Sequence, residues 1–408
     1  MNHKVCLIGS DMNTYYMARC YHEAYGENVD VIATEPIRFT QFSSIVNITY
    51  HPDLKTTEGF VNALSDYGKL KFDGEKILLI PCHDVYVRLL TENAEKLSDW
   101  FVFNCPSLKI VNAFLVKETF YRAFGRAGLK FAKTLYYNCT EEKTEPIPAD
   151  MYYPLIIKPS NGIEYGKHPF PGQPKVFKAT TPDNAVNFIN KVKASGYRDT
   201  LIVQEFIPGD DSYLFDCVFY VNTKGKAELA SFARIGLQEH SPSAIGNCTV
   251  LINGFNTFGG TEETVNELKT FLENIGYNGF AEFDLKYDRR DKTFKVLEIN
   301  PRQARSSYYL CALGHNLITT LVDDVFGGKE NEFLLLKDEV LLSMVPKSVL
   351  KKYVKDEEYK AEALKLWKER RKVDPLKYKG ERSFKHKFYL ILRAFNYKKK
   401  YKKNRHTI

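Results

Sequence analysis

The stretch "GFAEFDLKYDRRDKTFKVLEINPRQARSSYY", from Gly279 to Tyr309, limits what this chain can be more than any other. It reads as two strands joined by a charged turn. In the first, Phe283 and Leu285 alternate with Glu282, Asp284 and Lys286; in the second, Leu297 and Ile299 alternate with Glu298 and Asn300. Period-two alternation sends the two sets to opposite faces. A loop spanning Arg289 to Thr293 sets Asp284 across from Glu298 and Glu282 across from Asn300, and directly opposed residues share a face. Carboxylates crowded in this way repel unless something positive lies between them. A hard divalent cation with oxygen ligands meets that need. Arg302 and Arg305 follow at once and suggest an anion beside the cation. The plainer alternative is an exposed hairpin with a solvated polar face, but "EIN" followed by two arginines is a poor design for solubility alone.

At 408 residues the chain is long for one core, so two or three domains are expected. The eight cysteines are scattered with no CxxC pair, which speaks against zinc and against a disulfide framework. The apolar run near the N-terminus is too short for a signal peptide or a membrane span, so a reducing cytoplasm is the expected compartment. The net charge of +8 is unevenly spread. From Lys347 to Ile408 there are 22 Lys and Arg against 7 Asp and Glu; the rest of the chain has 36 against 43.

In chain order, "KVCLIGS" is a strand, followed by a helix that Gly26 stops. "VDVIAT", "SSIVNITY", "KILLIPC" and "WFVFNCP" are further strands, with helices near Asp53 to Tyr67 and after His83 and Asp84. Strand–helix alternation predicts a parallel, Rossmann-like sheet with ligands beyond the carboxyl ends of its strands. Asp11 and His83 stand at two such ends, as ligand contacts or simply as helix caps. No GxGxxG follows the first strand, which disfavours a dinucleotide.

Lys117 opens the next helix, as a phosphate contact or an ordinary surface lysine. Lys158 ends the apolar strand of "YYPLIIKPSNG" beside a glycine-bearing loop, which suits phosphate. "QEFIPGDDS" follows: Gln204, Glu205, Phe206 and Ile207 in extended conformation offer backbone groups to an adenine, and a carboxylate past the turn can take ribose hydroxyls. The C-terminal stretch has helices near Glu357 to Arg371 and Phe384 to Phe395. Its mixture of aromatic and basic residues fits an anionic membrane surface, or a solvated helical hairpin with a basic end. No nucleic-acid motif accompanies it, and no nucleic acid is expected.

Together, Lys117, Lys158, "QEFIPGDD" and "FDLKYD…LEINPRQARSS" resemble the ATP-grasp superfamily of carboxylate–amine ligases over roughly residues 110 to 325. "GSDMN", "EAYG", "GFAEFDLKYDRRD" and "RQARSSY" extend the resemblance toward the D-aspartate ligases of Gram-positive peptidoglycan synthesis. The loop 159–178, with its extra prolines, departs from the pattern. The resemblance implies an α/β and α+β chain: a Rossmann-like substrate domain over 1–110, a two-part ATP-grasp domain over 111–330, and a basic, partly helical extension over 331–408. It implies ATP and Mg²⁺, with Mn²⁺ as the substitute. Lys117 and Lys158 would contact phosphates, Gln204 to Ile207 the adenine, and Asp211, with Asp210 as competitor, the ribose. Asp284, Glu298 and Asn300 would hold the metal. Arg302 would steady the transferring phosphoryl group, with Lys158 and Arg305 also catalytic; Arg305, Ser306 and Ser307 would face the carboxylate substrate, while Asp11 and His83 are expected as substrate contacts from their place at the strand ends alone. The expected reaction activates an amino-acid carboxylate and joins it to an amine, best matched by D-aspartate and a UDP-linked muropeptide. A ligase for another acid, and a nucleotide-binding protein without turnover, are the rivals. The expected location is cytoplasmic, at the inner face of the membrane where the tail engages it.

Overall fold

The computed structural model describes residues 3–141, 146–240, 246–328 and 330–404. Its first sheet contains β1 (Val5–Ile8), β2 (Val29–Ala33), β3 (Val46–Tyr50), β4 (Ile77–Pro81) and β5 (Phe101–Val102), all parallel in the order β3-β2-β1-β4-β5. The helices that cover it are α1 (Met12–Tyr25), α2 (Arg38–Gln41), α3 (Thr57–Lys71), α4 (Asp84–Glu92) and α5 (Ala94–Leu97). β4 is buried along its whole length, as a central parallel strand must be. Asp11 caps α1 by accepting from Asn13 and Thr14 N–H groups, and Gly26 ends it at φ +73°, a left-handed conformation that favours glycine.

After α6 (Leu108–Leu115) and α7 (Lys117–Gly125) comes an antiparallel sheet of β6 (Thr134–Asn138), β7 (Leu155–Pro159), β8 (Phe177–Ala179) and β9 (Thr200–Glu205), ordered β6-β9-β7-β8. The proline-bearing loop after Lys158 holds a short helix, α8 (Gly162–Lys167). α9 (Pro182–Ala194), with Pro182 at its start, packs on the sheet through Phe188, Ile189 and Val192.

The third sheet is the largest. It joins β10 (Leu214–Val221), β11 (Ala227–Gln238), β12 (Cys248–Asn253), β13 (Gly279–Asp288), β14 (Thr293–Asn300), β15 (Leu334–Leu336), β16 (Val340–Ser343) and β17 (Lys372–Val373). β14 and β17 form its edges, and β15 pairs with β11. α10 (Thr261–Asn274) covers one face; α11 (Tyr309–Ala312) and α12 (Leu317–Gly327) join it to α1 in one core.

The C-terminal stretch holds the two helices the sequence predicts, α14 (Glu357–Lys368) and α15 (Phe384–Lys403), the latter two turns longer than expected, and before them a short helix it does not predict, α13 (Lys347–Tyr353). It also contributes β15, β16 and β17, which are too short for any alternation to be read. The stretch is tied to the body. The Tyr359 ring of α14 lies where a side chain on Gly236 would sit, and its hydroxyl donates to the Arg234 carbonyl.

Candidate active site

The hairpin β13–β14 forms the floor. Glu282 pairs with Asn300, Phe283 with Ile299 and Asp284 with Glu298. These are the partners the alternation predicts, reached by a different route. The turn takes only residues 289–292, so Asp288 pairs with Thr293, Tyr287 with Phe294 and Leu285 with Val296. Unbroken, that register would set Glu298 opposite Phe283, on the buried face. Instead the ladder shifts between Asp284 and Leu285, leaving Leu297 as a bulge. One extra residue reverses side-chain direction. Phe294 and Val296 stay in the core, while Glu298 and Asn300 turn to the face of Asp284 and Glu282.

Over this face lies a cavity of about 320 Å³. Asp284, Glu298, Asn300, Arg302, Arg305 and Ser306 line it, and Asp11 and His83 reach it from the carboxyl ends of β1 and β4. Asp11 and His83 also cap α1 and α4, so the capping and lining positions coincide. Arg302 is clamped from the first sheet's side: its Nε lies 2.8 Å from Asp84 Oδ1, and its Nη2 donates to Asp84 Oδ2 at 3.3 Å. Asn13 stitches the same junction, donating to the carbonyls of Cys82 at 3.3 Å and Gln303 at 3.4 Å. Arg305 is exposed and has no ion pair among the described residues. Ser307 is fully buried; its Oγ accepts from the Ala304 N–H at 2.8 Å, which holds the loop instead of lining the cavity.

β10 adds a carboxylate that the sequence reading passes over. Asp216 pairs directly with Asp284 and accepts from the hydroxyls of Ser306 and Tyr309. Its signal was one acid inside an otherwise apolar strand, "LFDCVFYV". Burial pushes the Asp216 carboxyl up to about 6, against the pull of those hydroxyls. Asp284 rises to about 8, through burial first and then the charges of Glu298 and Asp216. Glu282 is raised well above the usual range by burial, then by Asp284 and Asp216, although Asn300 donates to it. A cation on this face would relieve all three. Among the described residues no three His, Cys, Asp or Glu side chains are already gathered as a metal cage. Two carboxylates and an amide oxygen, from Asp284, Glu298 and Asn300, suit a hard ion that takes its remaining ligands from water and phosphate.

The other predicted residues lie at the start of α7, in β7, and in β9 and the turn after it, and do not line this cavity. Lys158 Nζ donates to the Tyr121 hydroxyl at 2.7 Å, and burial pushes its ammonium down to about 8 against the pull of Glu298. The Lys117 N–H donates to the Ser160 carbonyl, which sets the start of α7 beside the end of the strand that carries Lys158. In the extended stretch, Gln204 donates to Thr134 Oγ1, and Glu205 accepts from the Tyr152 N–H. The N–H groups of Glu205 and Phe206 are already engaged by the carbonyls of Lys133 and Pro154, so they are not the donors for a base. Ile207 follows, buried. The Phe206 ring lies between Lys178 and Lys286, with Nζ atoms 3.9 and 4.8 Å from its centroid. Lys286, also missed, is pushed down to about 8 by burial and donates to the Gly209 carbonyl. Asp211 accepts from the Gln238 N–H at 3.0 Å and from its amide at 2.7 Å, whereas Asp210 caps the turn through Ser212.

Solved structures share this fold. An L-amino acid ligase from Bacillus licheniformis superposes with a TM-score of 0.57 at 16% identity, over 79% of this chain and 74% of that one. The biotin carboxylase domain of the Hydrogenobacter thermophilus 2-oxoglutarate carboxylase, solved with MgADP, gives 0.57 at 14%, over 83% and 72%. No family model matches the chain. This fold, together with the sequence relative that follows, defines the class, the ATP-grasp carboxylate–amine ligases, which form a C–N bond with ATP. A D-aspartate ligase of Enterococcus faecium (strain Aus0004) is 32% identical over 98% of this chain and 96% of its own length. The chain belongs to the D-aspartate ligase family.

Proposed function

We propose that the chain activates a carboxylate of D-aspartate with ATP and joins it to the lysine side-chain amine of a UDP-linked muropeptide. The observation that carries this reading is the meeting of Asp284, Glu298 and Asn300 with Arg302 in one cavity, in a chain so similar to a D-aspartate ligase. A carboxylate is a poor electrophile because its charge repels an attacking amine. Transfer of the γ-phosphoryl group makes an acyl phosphate; the amine then attacks its carbonyl, and phosphate leaves. Lys117 and Lys158 hold phosphates, and Arg302, fixed by Asp84, stabilises charge on the transferring group. Arg305 and Ser306 face the acid, with Asp11 and His83 across the cavity. Asp284, Glu298 and Asn300 would hold Mg²⁺, or Mn²⁺ in its place, which when bound supplies positive charge against the phosphates. Nucleotide-side roles fall to Gln204 through Ile207 and to Asp211. The attacking ammonium must lose a proton, to an Asp, to His83 or to the departing phosphate. The basic tail adds a second partner, an anionic membrane surface on the cytoplasmic side.

The test is ATP-dependent phosphate release with Mg²⁺, D-aspartate and the muropeptide, with L-aspartate as control. The expected result is release that needs both substrates and a product heavier by one aspartyl residue. Turnover only with another acid or amine would keep the ligase and discard these substrates. ATP binding without turnover across a wide panel would favour the non-catalytic rival.

A further inference from the structure

Resting on that membrane reading, we propose that α15 is an in-plane anchor whose free apolar face enters an anionic bilayer. Phe384, Phe388, Ile391 and Phe395 are 81%, 52%, 55% and 57% exposed. Their spacing of four, three and four residues places them on one stripe of the helix. Single exposed apolar residues are ordinary, but a contiguous stripe of four is not. The stripe borders an apolar groove of about 540 Å³, lined by Leu376, Leu390, Ile391 and Phe395 and rimmed by Lys387 and Lys398.

The opposite face of α15 is committed to the body. His386, Tyr397 and Tyr401 are buried. Tyr397 donates to Glu239 at 2.9 Å, and Tyr401 to the Gln238 carbonyl at 2.7 Å. Gln238 also holds Asp211. The stripe therefore belongs to an element bolted to the strand end whose Gln238 holds Asp211, and the lipid surface would be held at a fixed distance from that residue.

Charge selects the occupant. α15 contains no acidic residue, and Lys385, Lys387, Lys398, Lys399 and Lys402 are all exposed around the stripe. A basic helix with an apolar face lies in the plane of an anionic interface. A second copy would bring two cationic helices together. Nucleic acid would leave the apolar stripe in water. No described helix is long and apolar enough to cross a membrane.

The test is co-sedimentation of the full chain with vesicles of phosphatidylglycerol and phosphatidylcholine, and with phosphatidylcholine alone. Two double variants are compared with the parent: Phe388→Gln with Phe395→Gln, and Lys398→Gln with Lys402→Gln. The parent is expected to bind the anionic vesicles. Each double variant should bind at least roughly tenfold more weakly, with ligase turnover in vesicle-free solution unchanged. Equal binding by parent and aromatic variant would overturn the anchor and leave the tail's charge as the membrane contact. If the parent binds neither vesicle, the membrane reading fails together with the anchor. A dimer of the parent that the aromatic variant splits would assign the stripe to a second copy instead.

Discussion

The Tyr121 hydroxyl donates to the carbonyl of Leu297 at 2.8 Å, and Leu297 is the residue bulged out of β14. The same hydroxyl accepts from Lys158 Nζ at 2.7 Å. One side chain thus ties a proposed phosphate lysine to the bulge that aims Glu298. Its ring is fixed by edge contacts to Phe120 and Phe131. Tyr121→Phe keeps those contacts and removes both bonds. We expect kcat/KM to fall roughly ten- to hundredfold, as for a hydrogen bond to a charged group worth about 1.5–3 kcal/mol. The Mg²⁺ midpoint should rise in parallel while the melting temperature changes little. Unaltered kinetics and Mg²⁺ dependence would show that the bulge holds its shape unaided.

Glu298 is exposed in the cavity wall, so the fold does not depend on its charge. Glu298→Gln should cost turnover roughly 10²–10³-fold, the range for losing one preorganised electrostatic group, with an unchanged melting curve. Near-normal product formation would remove Glu298 from the mechanism.

The hairpin partners were legible because each flank alternates cleanly around its acids. The bulge was legible too, though a simple alternation overlooks it. Phe294 and Val296 occupy even positions and Ile299 an odd one, so the apolar parity slips once between them. Asp216 was harder: its strand reads as buried core, and only the cross-strand pairing with Asp284 reveals the acid's place. Lys286 looked like the polar half of an alternating strand, but the Gly209 turn closes over it. The clamp between Asp211 and Gln238 joins distant segments, and nothing local signals it. The strands β15, β16 and β17 escape for a different reason, since two to four residues carry no period.

The acid cluster makes metal binding depend on pH. An unfolded aspartate titrates near about 3.9, whereas burial lifts Asp216 to about 6 and Asp284 to about 8. Between these limits the folded, metal-free chain binds more protons than the unfolded one. The stability these groups contribute is fully present below about pH 4 and is lost as pH rises through 6 and 8. A cation binds the ionised form, so its stabilising effect grows over the same interval. We expect the rise in melting temperature caused by Mg²⁺, against EDTA, to increase from pH 6 to pH 8.5, and to shrink in Asp284→Asn. A Mg²⁺ increment that is flat across that range would count against the cluster as the metal site.

Arg302 and Arg305 stand three residues apart in one cavity but are held differently. Asp84 fixes Arg302, while Arg305 is exposed and free of ion pairs among the described residues. A guanidinium left open beside Ser306 is placed to take a substrate carboxylate in a forked pair. Arg305→Ala should raise KM for the acid roughly tenfold or more, the worth of a charge-assisted hydrogen bond, and leave KM for ATP unchanged. Arg305→Lys should recover part of the loss, since it keeps the charge without the fork. The measurement is initial-rate kinetics with each substrate varied in turn. A rise confined to KM for ATP would reassign this guanidinium to the phosphates and leave the acid to other residues of the wall.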